Sequence, residues 1–413
     1  MRTRTSWLAL LLTSGIVLAS SSLQAQEVPA LTDPTFPLPL YHDRPERGGF
    51  YAAGEFLYWR QTNPLHNQVI AVRGILDFDG SITADLNGTV INPVNGTPPI
   101  IVPGQPMPGT FIGSGATALT ADQAKGPLSY EPGWRLTAGW RFRDGLAVEF
   151  SWMSLVEAHY ASTATLVPPG LQAGPLLTET FLFSPVFNFP NDYAGAPQKV
   201  AIGNPFAAYG IWNGASVMTI SFVQRLSEYD LNARIPIFET DFCRCYGLTG
   251  LRHVSMWEGF KWRTVSQDFQ GQANQDDVAI YDNIVSNQMY GPTVGVGNEV
   301  YLGHSFSFSL DLRAALMVDF VHEIVKYQRA DFSTEAKRGA KQYTVVPELD
   351  AICSAWWYPI EGVQVRVGYN FLNFFNTISS PNPVSFNFGN LDPGYSRTYR
   401  FIDGINAGIG FIF

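Results

Sequence analysis

The sequence predicts an all-β fold, an up-and-down antiparallel transmembrane β-barrel of about twelve strands, within a range of roughly ten to fourteen. Three observations predict it. Long stretches alternate strictly between apolar and other residues, the connections between them alternate between short and long, and Trp and Tyr gather near strand ends, as at Trp59, Trp134, Trp152 and Trp357.

The clearest element is a hairpin from Trp134 to Trp152. One face reads Trp134, Leu136, Ala138, Trp140, Phe142 and the other Arg135, Thr137, Gly139, Arg141, Arg143; after Asp144-Gly145, Leu146, Val148, Phe150 and Trp152 return against Ala147, Glu149 and Ser151. Alternation about an Asp-Gly pair is a strong hairpin signal. The same period runs from Phe306 to Leu316, from Leu349 to Trp357 and from Val363 to Phe371. Each stretch is about long enough to cross a bilayer when tilted.

Strands are expected near 49–60, 134–143, 146–156, 214–225, 228–236, 246–257, 260–270, 288–298, 305–317, 344–357, 362–374 and 400–413. Short connections fall near 144, 226, 258, 299–304 and 358–361, and long or polar ones at 61–133, 157–213, 237–245, 271–287, 318–343 and 375–399. Short turns at one end and longer loops at the other are the pattern of a membrane barrel, and an even strand count leaves both termini on the short-turn, periplasmic side. A soluble β-sandwich has the same period. The aromatic strand ends, with Gly and mixed charges on the opposite faces, favour the barrel.

At the N-terminus, Arg2 and Arg4 precede an apolar stretch from Trp7 to Ala19 and the run Ser20-Ser21-Ser22-Leu23-Gln24-Ala25. That order is a secretory signal peptide, with cleavage expected after Ala25 and Ala19 as the alternative. Residues 26–47, with Pro29, Pro34, Pro37, Pro39 and Pro45, read as a periplasmic linker, leaving 48–413 as the barrel domain. No later segment has the unbroken apolar length of a spanning helix.

Composition fits this reading. Aromatics make up 14% of the chain and charged residues only 15%, while the net charge of -9 and the absence of a basic stretch argue against a nucleic-acid partner. Cys243, Cys245 and Cys353 cannot make a disulfide framework. They are expected to be unpaired, with an intermolecular bridge as the alternative, and no His or Cys nearby completes a zinc set. No cofactor or metal is expected.

Two loops stand out. The segment from Asn87 to Gly115 is rich in Pro and Gly, and the loop 157–213 carries Phe181, Phe183, Phe187 and Phe189, which makes it apolar enough to pack on the barrel mouth or on a neighbouring subunit of a homo-oligomer. The last strand alternates Ile405, Ala407, Ile409, Phe411 and Phe413 with Gly404, Asn406, Gly408 and Gly410. Ile409, Phe411 and Phe413 look like the C-terminal signal that the barrel-insertion machinery reads.

The stretch Gly49-Phe50-Tyr51-Ala52-Ala53-Gly54-Glu55-Phe56-Leu57-Tyr58-Trp59 resembles the first strand of the Legionella-type pore-forming outer-membrane proteins and their planctomycete β-barrel relatives. The hairpin from Gly133-Trp134-Arg135-Leu136 to Phe150, the strand Gly250-Leu251-Arg252-His253 with Glu258 after it, and the C-terminal strand resemble them too, although His253 stands where the relatives tend to carry another aromatic. The resemblance implies an outer-membrane location among outer-membrane lipids, and either a passive, porin-like pore or a structural role.

For a pore the working residues face the lumen. On the alternation these include Arg135, Arg141, Arg143, Glu149, Asp230, Arg234, Asp311, Arg313, Glu348, Asp350 and Arg366. Such charges set ion preference, or they pair across neighbouring strands and plug the interior. An enzyme is not expected. His253 and Ser255 share one strand face, as a hydrolase pair would, but no orienting partner can be assigned from the sequence. Asp276-Asp277 could mimic the carboxylates of a barrel protease, although paired acids in a solvated loop are the ordinary explanation. A surface-binding role carried by the loops is the remaining alternative.

Overall fold

The computed structural model describes residues 49–412 except 78–79, 81–82, 85–87, 92–99, 103, 126–129, 166–180, 189–209, 241, 268–271, 304 and 361, with the backbone alone for 89–91 and 100–102. The expected signal peptide, the Pro-rich linker, Phe189, Phe413 and much of the Pro- and Gly-rich segment lie outside the described residues.

Ten strands close into a ring: β1 (Gly49–Gln61), β2 (Glu131–Arg141), β3 (Ala147–Leu155, continued by Ala158–Thr165), β4 (Val217–Glu239), β5 (Cys243–Val265), β6 (Val278–Gly303), β7 (Phe306–Arg329), β8 (Glu335–Ile360), β9 (Val363–Ser379) and β10 (Ser396–Ile412). Every neighbouring pair is antiparallel, and β10 returns to β1 in a register running from Tyr51↔Ile412 to Gln61↔Ile402. The two parts of β3 lie end to end along β4 and are parted only by Val156 and Glu157. Closure pairs the strands around the ring, with residues 335–347 of β8 paired to β7 alone, and a closed ring is what a bilayer demands of a β structure.

The count lies at the lower end of the expected range because the turns expected near 226 and 258 do not exist. β4 and β5 run through both points as single strands. The segment 237–245 is no long loop either: its turn closes with Thr240 N donating to Cys243 O at 2.8 Å. Likewise 318–343 is strand except for a tip closed by Arg329 N donating to Thr334 O at 3.1 Å.

These differences have one physical cause, an inversion of polarity along the strands. Toward the short turns β7 presents Phe308, Leu310, Leu312 and Leu316 outward, as a lipid-facing wall must. Beyond Phe320 the same strand presents His322 and Lys326 outward and buries Val321, Val325 and Tyr327 inside. A period-2 stretch whose apolar face changes sides looks like the end of a membrane strand, although its ladder continues. The upper wall therefore stands in water around a core of its own, in which Trp212 packs on Trp262 at 4.4 Å and on Phe388 at 5.1 Å between ring centroids.

The inversion is marked by a chain of ring contacts on the outer surface. It runs across seven neighbouring strands: Trp134 to Trp152 (4.2 Å), Tyr229 (5.9 Å), His253 (5.6 Å), Tyr290 (4.3 Å), Phe320 (5.8 Å) and Tyr343 (5.3 Å). Trp134 and Trp152 thus lie in the expected aromatic belt, and Trp357 stacks on Phe306 nearer the short turns. Trp59 does not lie in a belt. It points inward and is 1% exposed, because Phe56-Leu57-Tyr58-Trp59 is apolar on both faces and its parity cannot be read. Of the apolar loop, Leu182–Phe183 pairs with Val69–Arg73 and Phe181 and Leu182 are buried at the barrel mouth, whereas Phe187 is exposed. Cys243, Cys245 and Cys353 are all free.

Trp262 lies in the part of β5 beyond the absent turn, so Trp262→Ala tests the upper core. We expect a loss of about 3–5 kcal/mol in urea unfolding of the refolded barrel; an unchanged midpoint would mean the upper wall is not packed.

Candidate functional site: the filled lumen

Ten of the eleven residues expected to line the lumen project inward, and they do so on strands that alternate as read. Arg143 does not. The turn occupies five residues, with Phe142 N donating to Leu146 O at 2.8 Å and Leu146 N to Asp144 Oδ1 at 3.1 Å, so β2 ends at Arg141 and Arg143 is exposed in the turn.

The inward charges form a web centred on Arg252 of β5. Its guanidinium meets both oxygens of Asp230 at 2.7 and 2.8 Å, Glu228 at 3.4 Å, Asp350 at 3.3 Å and also Glu348. Arg313 joins Asp230 at 3.4 Å. Arg234 reaches Glu149 at 3.3 Å, and Glu149 also accepts from the Tyr51 hydroxyl at 3.0 Å. On the opposite wall Glu55 takes Arg366 at 2.7 Å, Arg135 at 3.4 Å and the Asn406 amide at 3.3 Å. Strands on all sides of the ring supply side chains to this web. β6 contributes room: a Cβ on Gly297 would lie 2.1 Å from the Tyr246 ring, whose hydroxyl donates to Asp311.

Next to the web lies an apolar collar on the inner wall, built from Leu57, Trp59, Met153, Met256, Met289, Met317 and Phe374 among others. Met is suited to filling so irregular a space. Arg135 stacks over Trp59 at 5.4 Å and ties the two layers together. Beyond the collar a second ion pair, Arg400 to Glu258 at 2.6 Å, is extended by the Gln224 amide at 2.8 Å. Within the charged web the residual cavity measures about 60 Å³. That is space for a few waters.

Arg252, Glu228, Glu55 and the pair Glu258–Arg400 are the contributors that sequence reasoning missed. Arg252 was within reach, since Leu251 and His253 flank it on the lipid-facing parity. Glu258 was hidden by the turn expected there. The hydrolase candidates come apart as sites. His253 Nε2 and Ser255 Oγ make no direct bond, since both meet the Gln288 side chain, at 3.1 and 2.8 Å, and His253 sits between the Tyr229 and Tyr290 rings. Asp277 accepts from the Asn274 N–H at 2.9 Å and closes its own turn. Ile409 and Phe411 lie on the outer face of β10, partly exposed.

The profile of the family described as "Legionella pneumophila major outer membrane protein precursor" matches residues 116–390. The chain belongs to this family. This Legionella-type barrel is thus an outer-membrane protein. Among curated proteins nothing matches. Among solved structures it is similar to the outer membrane protease OmpT of Escherichia coli, at 8% identity and a TM-score of 0.38, over 90% of this chain and 98% of that one. It is also similar to a FadL homologue of Pseudomonas aeruginosa (7% identity, TM-score 0.22, 89% and 90%) and to an anion-selective porin of Comamonas acidovorans (9%, 0.14, 89% and 99%).

Because Arg252 neutralises several buried carboxylates at once, removing it leaves uncompensated charge. Arg252→Leu is expected to cost about 3–5 kcal/mol in denaturant unfolding. A loss below about 1 kcal/mol, the range of an exposed ion pair, would show that water reaches the web freely.

Proposed function

We propose that this protein is a closed outer-membrane barrel with a structural and surface role, and that it does not conduct solutes as a passive pore. One observation carries the reading: the lumen is filled across its width by a charged web and, next to it, by an apolar collar. A porin needs a continuous aqueous path past its wall charges. Here most of those charges are paired with one another, and the side chains of the collar are apolar apart from the buried Trp59 N–H.

The remaining parts of the reading follow from it. No catalytic role is proposed, since His253 and Ser255 are bridged through Gln288 and belong to the lipid-facing aromatic chain. Export by a signal peptide removed after Ala25, and reading of the last strand by the insertion machinery, complete the proposal.

The test is conductance of the refolded mature protein in planar bilayers, beside its heat-modifiable migration on a gel. A folded, heat-shifted band without steady conductance is expected, and a collar-emptied variant, Trp59→Ala with Phe374→Ala, should leak. Uniform, stable steps from the unaltered protein would overturn the reading. N-terminal sequencing of protein taken from outer membranes should start at Gln26; a start at Ser20 would move the cleavage site to Ala19.

A further inference from the structure

Above the aromatic chain, β7 and β8 place basic residues directly opposite one another on the outer face. His322 faces Lys341, and Lys326 faces Lys337, in the antiparallel register of the two strands. Like charges directly opposite on one sheet face destabilise it. Acidic partners relieve this only in part: Lys326 meets Glu335 at 3.2 Å, whereas Lys337 and Lys341 are exposed and make no ion pair among the described residues. Between the two basic pairs, Ile324 faces Gly339, and a Cβ built on Gly339 would meet only the Glu323 carbonyl at 3.7 Å. The wall therefore carries a gap in its side-chain cover, flanked by cationic pairs.

The height of this patch identifies its ligand. Phe320 and Tyr343, cross-strand neighbours in edge contact at 5.3 Å, mark the top of the lipid-facing wall. His322 and Lys341 lie two residues further along, or roughly 7 Å up the strand. That distance spans the headgroup layer of one leaflet, about 5–7 Å thick. Lys326 and Lys337 reach some 13 Å beyond the first pair at the same rise per residue. A ligand that seats here has apolar chains against Phe320, Tyr343 and Val345 and an anionic group above them.

We propose that the outer face of β7 and β8 binds the phosphate of an outer-leaflet acyl lipid at Lys341 and His322, with Lys337 adding positive charge above it and the lipid's chains on the aromatic wall below. Phosphate fits because it accepts hydrogen bonds from several donors at once and cancels the repulsion that the register builds in. Arg225, which lies on β4 and is paired with Glu157 at 2.7 Å, belongs to no such pair and serves as the control.

The test uses the refolded mature protein in neutral detergent micelles and reads the temperature at which the heat-shifted band is lost. Phosphatidic acid should raise that midpoint in a saturable way, and phosphatidylcholine and inorganic phosphate at the same concentration should not. The double variant K337Q/K341Q should bind phosphatidic acid at least ten-fold more weakly, while R225Q binds as the parent does. In micelles without added lipid, K337Q alone should be as stable as the parent or more so, since it removes a like-charge pair; this readout also checks that the variants fold. An equal shift in the parent and the double variant would overturn the proposal. So would a shift reproduced by phosphatidylcholine, or by inorganic phosphate, which would mean a free anion and no lipid.

Discussion

Inside a bilayer no water is at hand to satisfy the backbone, so every N–H and C=O of a membrane sheet must find a partner strand. The rest of this structure depends on that requirement. It forces β10 back onto β1 and bridges the interruption of β3 by a single long β4, which pairs with both of its halves. Because the ladder must be complete, side chains had to adapt to the ring and not the reverse. The run of inward glycines on β6 is where that adaptation is most visible, since Gly291, Gly295 and Gly297 yield space to Met317, Arg313 and Tyr246.

A ring of ten strands has an interior only slightly wider than side chains fill. Long residues projecting from opposite walls must therefore meet. Burying charge is costly unless each group is paired and hydrogen-bonded. The web answers with multiple contacts per group, as Glu55 does with two guanidinium groups and an amide. Such an arrangement is weak evidence of added stability over an apolar core. Its effect is on specificity: a strand slipped by one residue would turn Asp230 or Glu348 toward lipid, so the pairs fix register around the ring.

Much of this was legible in the sequence because period two was clean wherever one face met lipid. The hairpin of β2 and β3, the outward faces of β7 to β9 and the inward charges from Arg135 to Arg366 all follow from alternation alone. Three features were not legible, for physical reasons. Phe56 to Trp59 is apolar on both faces, because β1 is covered by lipid outside and by the collar inside. Glu258-Gly259 looks like a turn, although Glu258 is held inside by Arg400. And β4 to β8 were cut short because a strand that leaves the bilayer reverses its apolar face without breaking its hydrogen bonds. Pair identities, such as Arg252 with both Asp230 and Glu348, bring together residues far apart in sequence, and no local pattern encodes them.

The reversal of polarity also acts as a depth gauge. With Phe320 and Tyr343 on one side of the boundary and His322 and Lys341 on the other, the barrel has one favoured height in the membrane. Sinking by two residues would carry a lysine below the interface, at a cost that rises from about 1 kcal/mol near the surface to about 4 at the midplane; rising by two would wet the aromatic rings. A wall so graduated resists bobbing and sets the thickness of the lipid around it. In a thicker bilayer the lipid would have to thin to meet the rings, and the protein would gather where the membrane already matches.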